Sequence, residues 1–199
     1  MQDVRPIGQD AVHVVVDMQD LFAARTVWHT PSIPAITPGI LRLVAHRSDR
    51  AIFTRFMTPR TADETSGAWR TYYRRWTRVT TSRMDPALLD VMNDFRSFIP
   101  PAHVVDKTTY SAFESDAFVN LLDAMACRTL IVTGVETDVC VLATVMTGVD
   151  RGYRVIIAED AVTSSDEDAH RAMLDLVYRR FEDQMEIGST AEIIASWQC

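Results

Sequence analysis

The 199-residue chain is 47% hydrophobic, which is enough to form the core of one domain. Its formal net charge of −7 argues against general nucleic-acid binding. No apolar run approaches the roughly 20 residues of a membrane span, and residues 1–10 lack the pattern of a signal peptide, so we expect a single cytoplasmic domain over residues 1–199 with no membrane or nucleic-acid partner. The three cysteines form no CxxC pair, which fits a reducing compartment and argues against structural zinc.

Short apolar runs alternate with amphipathic segments along the chain. The predicted strands are Ala11 to Val16, Ala51 to Thr54, His103 to Val105, Leu130 to Val132, Tyr153 to Ala158 and Gln184 to Ile187. Continuously apolar runs rich in β-branched residues, such as the first, are typical of strands buried on both faces of a parallel sheet. The alternation predicts an α/β fold with a doubly wound, mostly parallel six-stranded sheet and helices on both faces.

Helices are predicted between these strands. They begin at Thr37, at Asp85, at Asp116, just after the fourth strand, at Ser164 and at Thr190. The first two combine a capping residue with a proline in the first turn, and we expect the second of them to continue to Phe95. Residues 23–36 are expected to form a loop.

The helix after the fourth strand has an apolar stripe that we expect to face the core. Its members are Leu142, Val145, Met146 and Val149. At about 100° per residue, Cys140 lies roughly 140 to 240° from them, which argues against an ordinary core cysteine. Residues off this stripe are candidates for a subunit interface: Val141, Ala143, Thr144 and Thr147.

Residues 55–83 form a basic, aromatic insert after the second strand. The insert holds seven arginines against two acids, a net formal charge of +5 in an acidic protein, together with two tryptophans and two tyrosines. Three interpretations compete: a lid over an active site, an oligomer interface, or a platform for single-stranded nucleic acid. Lid and interface together are favoured, because the acidic remainder of the chain would repel nucleic acid.

Three side chains with catalytic potential stand just past predicted strand ends: Asp17, Lys107 and Cys140. Open α/β sheets bind ligands at the carboxyl ends of their strands, and a helix N-terminus lowers the pKa of a thiol. The alternatives are a helix cap for Asp17 and a small buried side chain for Cys140.

Lys107 is the only lysine among the 20 basic residues. A compact ammonium has a tunable pKa and fits where a planar guanidinium does not, although chance survival of one surface lysine would also explain it. Together the three residues supply a carboxylate base, an ammonium that favours charged forms, and a sulfur nucleophile.

Four segments resemble the isochorismatase-like cysteine hydrolase superfamily: VVVDMQDLF, VVDKTTYSAF, VTGVETDVCVLAT and VIIAEDAVTSSDEDAH. They cover most of the chain in the order found in that family, which includes nicotinamidases, carbamoylsarcosine and biuret amidohydrolases, and isochorismatases. The resemblance implies a catalytic triad of Asp17, Lys107 and Cys140. Because isochorismatase itself lacks the cysteine, Cys140 points to the thiol-dependent amidohydrolases.

The resemblance also implies a cis peptide bond between Val135 and Glu136. This bond would turn the Glu136 amide toward the site beside the amide of Cys140, and the two would form an oxyanion hole. The family commonly assembles as homodimers or homotetramers, so we expect one of these states here.

The sequence departs from the nicotinamidases at their metal site. They carry an aspartate and histidines after the second strand, where this chain reads Thr54-Arg55-Phe56-Met57, and its five histidines show no paired ligand spacing. We therefore predict no catalytic metal and no cofactor, and nicotinamide is disfavoured as the substrate. Arg55 is a candidate to hold a substrate carboxylate or carbonyl; an ion pair on a basic lid is the alternative.

These features predict a cysteine-dependent amidohydrolase acting on a small amide, ureide or carbamoyl compound. With Arg55, the candidate substrate-binding residues are Phe22, Trp69, Tyr73, Trp76, Tyr110 and Phe113, each of which is also compatible with ordinary core or interface packing. Two other functions remain open: an isochorismatase-type hydrolase of vinyl ethers that needs no thiol, and a non-catalytic redox or interaction protein.

Overall fold

The computed structural model describes residues 4–198, and within them six strands form one parallel sheet. The strands are β1 (Ala11–Val16), β2 (Ala51–Phe56), β3 (His103–Lys107), β4 (Thr129–Val135), β5 (Arg154–Thr163) and β6 (Met185–Gly188). Every neighbouring pair is parallel, and the order across the sheet is β3-β2-β1-β4-β5-β6. The predicted fold class is confirmed.

In the described part of the chain, seven α-helices connect or follow the strands. They are α1 (Asp20–Ala23), α2 (Ile33–His46), α3 (Gly67–Arg75), α4 (Asp116–Ala124), α5 (Cys140–Asp150), α6 (Glu167–Ala172) and α7 (Thr190–Ser196). Short 3-10 helices cover Ser48–Arg50, Ala62–Glu64, Thr77–Val79, Pro86–Leu89, Asn93–Phe98, Ala112–Glu114 and Tyr178–Phe181, and a π turn covers Met173–Val177. Among the described residues, no helix is both long and apolar enough to cross a membrane.

The order of the strands reverses between β1 and β4. Strands β1, β2 and β3 are added in order from the centre of the sheet to one edge. The chain then returns to the centre, and β4, β5 and β6 are added in order to the other edge. Right-handed crossovers in opposite directions place α2 and α5 on opposite faces of the sheet. Such a reversal leaves a crevice at the carboxyl ends of the two central strands, where ligands bind in this class of sheet.

Two predicted helix positions are wrong. Helix α2 begins at Ile33 rather than Thr37, so the expected loop over residues 23–36 ends early and Pro38 lies inside the helix. The segment after Asp85 forms two 3-10 helices instead of one α-helix, although Asp85 does cap the first by accepting a hydrogen bond of 2.9 Å from the Ala87 amide.

The expected core stripe of α5 is also wrong. Its fully buried face consists of Cys140, Val141, Thr144, Val145 and Gly148, whereas Leu142, Met146 and Val149 are only half-buried. The sheet favours small side chains here, because a Cβ on Gly148 would lie 3.0 Å from the Leu130 side chain. Cys140 therefore does lie on the inward face, and the proposed interface residues Val141 and Thr144 are interior.

The predicted helix after Asp166 changes its winding midway. Asp166 caps α6 through the Ala169 amide, and the π turn that follows adds a residue to one helical turn. After this shift Tyr178 is completely buried and Leu176 is 67% exposed.

Candidate functional site

Asp17, Lys107 and Cys140 meet at the crevice between β1 and β4. Asp17 directly follows β1, Lys107 is the last residue of β3, and Cys140 is the first residue of α5, after the turn that leaves β4. The parallel register brings these strand ends to one edge of the sheet, so the three side chains lie together although 123 positions separate the first from the last along the chain.

Asp17 is fully buried and both of its carboxylate oxygens are held. The Thr54 hydroxyl donates a hydrogen bond of 2.6 Å to Oδ1, and the Lys107 ammonium donates one of 2.7 Å to Oδ2. The backbone of Asp17 has a φ of +51°, and its amide donates to the same Thr54 hydroxyl at 3.1 Å. Thr54 on β2 therefore fixes both the turn and the carboxylate.

Lys107 is 3% exposed, so its charge depends on its neighbours. Its ammonium also donates to the Thr109 carbonyl at 3.1 Å and lies 4.8 Å from the centroid of the Phe56 ring. Burial lowers the pKa of Lys107, but the nearby Asp17 and Cys140 raise it more, and the net pKa lies above the ordinary value. The ammonium therefore stays charged.

The Cys140 thiol is 6% exposed, and both Asp17 and Lys107 are near enough to change its pKa. Burial raises the pKa of Cys140, the Asp17 carboxylate raises it further, and the Lys107 ammonium opposes both. The net pKa lies well above the ordinary value, which is opposite to the lowering expected from a helix N-terminus alone. The resting sulfur therefore carries its proton, next to a carboxylate that can accept it.

The turn between β4 and α5 arranges two backbone amides beside this thiol. The peptide bond between Val135 and Glu136 is cis, and the Glu136 carbonyl accepts hydrogen bonds from the amides of Val139 and Val141 at 3.0 and 3.1 Å. Within residues 4–198, the amides of Glu136 and Cys140 donate to no protein group. Both remain available for a bound oxygen atom.

A cavity of about 300 Å³ opens over the thiol. Its walls are Phe22, Val27, Trp28, Phe56, Tyr72, Trp76, Tyr110, Glu136, Val139, Cys140 and Ser165. Three of the expected substrate-binding residues, Phe22, Trp76 and Tyr110, are among them. The insert over residues 55–83 contributes Tyr72 and Trp76 to the walls.

The other four expected substrate-binding residues do not line this cavity. Trp69 and Tyr73 form a neighbouring layer, where Trp69 packs 4.8 Å from Tyr110 between ring centroids and Tyr73 is 1% exposed. Phe113 packs against Phe118 and Tyr153.

Arg55 lies within β2 and is turned away from the cavity. Its guanidinium pairs with Asp106 and Asp90, each at 2.7 Å. The physical reason is alternation along a strand, which directs Thr54 toward Asp17 and its neighbour Arg55 to the other face. This position matches the ion-pair alternative.

The sequence interpretation missed several wall residues. Trp28 lies in the segment expected to be a loop, and its ring centroid is 5.9 to 6.2 Å from those of Phe22, Phe56, Tyr72 and Trp76. A tryptophan in a loop that follows a central strand was a usable signal. No local pattern marked Ser165 or the side chain of Glu136.

Residues at the nicotinamidase-like metal position do not fit a metal ion. The Thr54 hydroxyl is engaged with Asp17, Arg55 is a cation, and Phe56 offers no ligand atom. Within the described part of the chain, no three histidine, cysteine or carboxylate side chains are grouped closely enough to hold a metal.

Comparison with known proteins identifies related sequences. A family model described as an isochorismatase domain matches residues 11–189. Nicotinamidase 3 of Arabidopsis thaliana is 34% identical over 74 residues, 37% of this chain and 37% of that protein. Streptothricin hydrolase of Streptomyces noursei is 37% identical over 78 residues, 39% of this chain and 28% of that protein. The match thus spans about a third of each of these curated relatives.

Solved structures extend the likeness to the whole fold. A cysteine hydrolase from Pseudomonas syringae pv. phaseolicola 1448A is 26% identical with a TM-score of 0.80, over 98% of this chain and 97% of that one. N-carbamoylsarcosine amidase from Thermoplasma acidophilum is 21% identical with a TM-score of 0.69, over 90% and 96% of the two chains, which is a likeness of fold alone.

Proposed function

Because the chain belongs to the isochorismatase family, we propose that it is a cysteine-dependent hydrolase that cleaves a carbon–nitrogen bond in a small amide, ureide or carbamoyl compound. The name of one sequence relative, Nicotinamidase 3 of Arabidopsis thaliana, favours amide-type substrates. The observation that carries the proposal is that one buried thiol at a cavity wall shares its surroundings with a buried carboxylate–ammonium pair, and both charged groups act on its pKa.

The first half of the reaction forms a thioester. Asp17 takes the proton from Cys140 as the sulfur attacks the carbonyl carbon, so the sulfur need not be a thiolate beforehand. When the tetrahedral intermediate collapses, the carbon–nitrogen bond breaks and the leaving nitrogen takes the proton from Asp17. Ammonia or an amine departs.

The second half releases the acid. Asp17, again ionised, takes a proton from water as the water oxygen attacks the thioester carbon. Collapse breaks the carbon–sulfur bond, and the sulfur recovers its proton from Asp17. The Lys107 ammonium lies 2.7 Å from the Asp17 carboxylate and holds it in position throughout these steps.

The amides of Glu136 and Cys140 serve in this proposal as the oxyanion hole. Neither has a protein acceptor within the described residues, and the loss of one such donor typically costs about 3 to 4 kcal/mol of transition-state stabilisation. The proposed enzyme acts on a small molecule. We keep cytoplasmic location and assembly as a homodimer or homotetramer as predictions.

Screening small amides, ureides and carbamoyl compounds for ammonia release tests the proposal. We expect Cys140→Ala to reduce turnover of any substrate found by at least about 10³-fold while the fold is retained, since the nucleophile is lost. Circular dichroism and thermal unfolding would check the fold.

Cys127→Ala is the matched control. Cys127 is half-buried, its thiol donates to the Thr129 carbonyl at 3.3 Å, and burial raises its pKa to about 12. This variant should keep its activity. Normal turnover by Cys140→Ala would reject the nucleophile, and turnover of a vinyl ether that survives alkylation of Cys140 would favour an isochorismatase-type hydrolase.

A further inference from the structure

The walls of the cavity above Cys140 combine many aromatic faces with a single ionisable carboxylate. The aromatic members are Phe22, Trp28, Phe56, Tyr72, Trp76 and Tyr110. Glu136 is the only acidic residue among the cavity-lining residues, and none of these residues is arginine, lysine or histidine. A bound carboxylate would therefore lose its hydration without gaining a cationic partner in the walls.

The charges beneath the cavity leave Glu136 uncompensated. Asp17 and Lys107 form an ion pair with both side chains at most 1% exposed, so their charges cancel locally. The Cys140 thiol is protonated at neutral pH because burial and Asp17 raise its pKa. One net negative charge remains at the site, on the side chain of Glu136.

The Glu136 carboxylate is held in place through one oxygen. Oε1 accepts hydrogen bonds from the Ser165 amide at 2.9 Å and from the Thr30 hydroxyl at 3.4 Å. Within residues 4–198, Oε2 has no protein partner. The carboxylate is thus oriented at the cavity wall with half of its accepting capacity free.

Two of the aromatic rings already have a cation beside them. Lys107 lies over Phe56, and the guanidinium of Arg75, which is exposed and outside the cavity walls, lies 5.2 Å from the Trp76 centroid. The rings of Phe22, Trp28, Tyr72 and Tyr110 have no such neighbour among the described residues. Several aromatic faces around one carboxylate are the surroundings in which quaternary ammonium groups bind.

We propose that the substrate is an amide that also carries a cationic group, either a quaternary ammonium or an alkylammonium that is protonated at neutral pH. This cationic group binds between the aromatic walls and Glu136. The inference rests on the proposed amide hydrolysis for its reaction but not for its binding step. Glu136 is in this scheme a specificity-determining residue. The insert contributes the rings of Tyr72 and Trp76, and none of its arginines lines the cavity.

Three amides of nearly the same shape test the charge preference. They are 4-(trimethylammonio)butanamide, its neutral carbon isostere 5,5-dimethylhexanamide, and glutaramate, which carries a carboxylate. We expect kcat/KM for ammonia release to fall in that order. Preference for glutaramate or for the neutral amide would overturn the inference.

Glu136→Gln tests the residue responsible. Glutamine keeps an oxygen that can accept from Ser165 and Thr30 and leaves the backbone amide in place. The ratio of kcat/KM for the cationic amide to that for the neutral amide should fall roughly tenfold, because the attraction between the carboxylate and the quaternary ammonium is lost. Glu114→Gln removes the same charge from an exposed residue outside the cavity, and it should leave the ratio unchanged. An unchanged ratio in Glu136→Gln would refute the assignment.

Calorimetric binding to Cys140→Ala separates this inference from the proposed function. The variant should bind the trimethylammonium amide more tightly than the neutral isostere, and the additional substitution of Glu136 by glutamine should reduce the difference about tenfold. If the wild-type protein hydrolyses none of the three amides but this binding pattern holds, the proposed reaction fails and the cation site stands. Equal binding of the two amides would reject the cation site.

Discussion

The proton on the Cys140 sulfur is controlled by two oppositely charged neighbours. Asp17 raises the pKa of this thiol and Lys107 lowers it, on top of the increase caused by burial. The sequence placed the thiol at a helix N-terminus and therefore predicted a lowered pKa. The sequence could not account for the effect of the Asp17 carboxylate on this pKa, because the distance from Cys140 to Asp17 exists only in the folded chain.

Asp17→Asn should separate thiol reactivity from turnover. The substitution removes the charge that raises the pKa of Cys140 and leaves the Lys107 ammonium that lowers it, so the thiolate fraction rises at neutral pH. We expect alkylation of Cys140 by iodoacetamide at pH 7.5 to accelerate by about tenfold or more, while amide hydrolysis is lost with the base. Mass spectrometry of the alkylated peptide measures this rate.

Lys107→Met provides the opposite change. With the ammonium removed, the pKa of Cys140 should rise further and its alkylation should slow, while alkylation of Cys127 serves as the internal reference in all variants. Slower alkylation in Asp17→Asn than in wild type would contradict the charge assignment. Lys107→Met also leaves the Asp17 carboxylate buried without its partner, a change that typically costs about 3 to 5 kcal/mol of stability. Alkylation of this variant should therefore be measured well below its Tm.

At the scale of secondary-structure elements, the end of β4 approaches the backbone of β1 very closely, directly beneath the site. Gly134 has a φ of +105°, and a Cβ at this position would lie 2.0 Å from the Val16 carbonyl oxygen. The pairing of β4 with β5 also shifts its register between Val132 and Gly134. This close approach sets the spacing between the strand that delivers Asp17 and the strand that delivers Cys140.

Gly134→Ala should therefore be strongly destabilising. Backbone strain and a clash with another strand together should cost at least about 3 kcal/mol in the free energy of unfolding. Gly152→Ala is the control, since Gly152 also has a positive φ, +82°, but no atom lies within 4 Å of the added Cβ; it should lose only about 1 to 2 kcal/mol. Urea unfolding of both variants measures the difference. Equal losses in the free energy of unfolding would show that the close approach of Gly134 to Val16 does not contribute to stability.

At the scale of the whole molecule, Glu186 ties the beginning of the described chain to the far edge of the sheet. Its carboxylate in β6 accepts hydrogen bonds from Arg154 on β5, at 2.7 Å, and from Arg5 at 2.6 to 3.0 Å. Arg154 in turn donates to the carbonyls of Arg5 and Pro6 at 2.8 Å. Burial would raise the pKa of Glu186, but the two arginines lower it to about 2.

This network should make stability depend on pH in the acid range. Because the folded pKa is lowered from 4.5, the stabilisation is fully present above pH 4.5 and is lost as the pH falls toward about 2. Glu186→Gln should lower stability by about 1 to 3 kcal/mol at pH 7, and the difference in Tm from wild type should shrink between pH 4.5 and the lowest pH at which the protein stays folded. Glu114→Gln, an exposed substitution of equal charge, should show no such trend.

The sequence by itself determined the class of fold, the order of the strands along the chain, and Asp17, Lys107 and Cys140 as the candidates for chemistry. Apolar runs report strands regardless of their partners, and reactive residues at strand ends share one edge of any parallel sheet. The boundaries and buried faces of the helices were less well determined. The inward face of α5 depends on which side chains fit against β4, and the start of α2 depends on packing that tolerates Pro38.

Only the tertiary structure decided the cavity. Its walls come from the segment after β1, the end of β2, the insert, the segments after β3 and β5, and the turn after β4. No local pattern therefore unites Trp28, Tyr72 and Glu136. The sequence made Arg55 a candidate to hold a substrate carboxylate or carbonyl, but strand alternation turns that side chain to two aspartates, and the carboxylate of Glu136 lies at the cavity wall. The predicted charge of the substrate therefore depends on which side chains the fold directs inward.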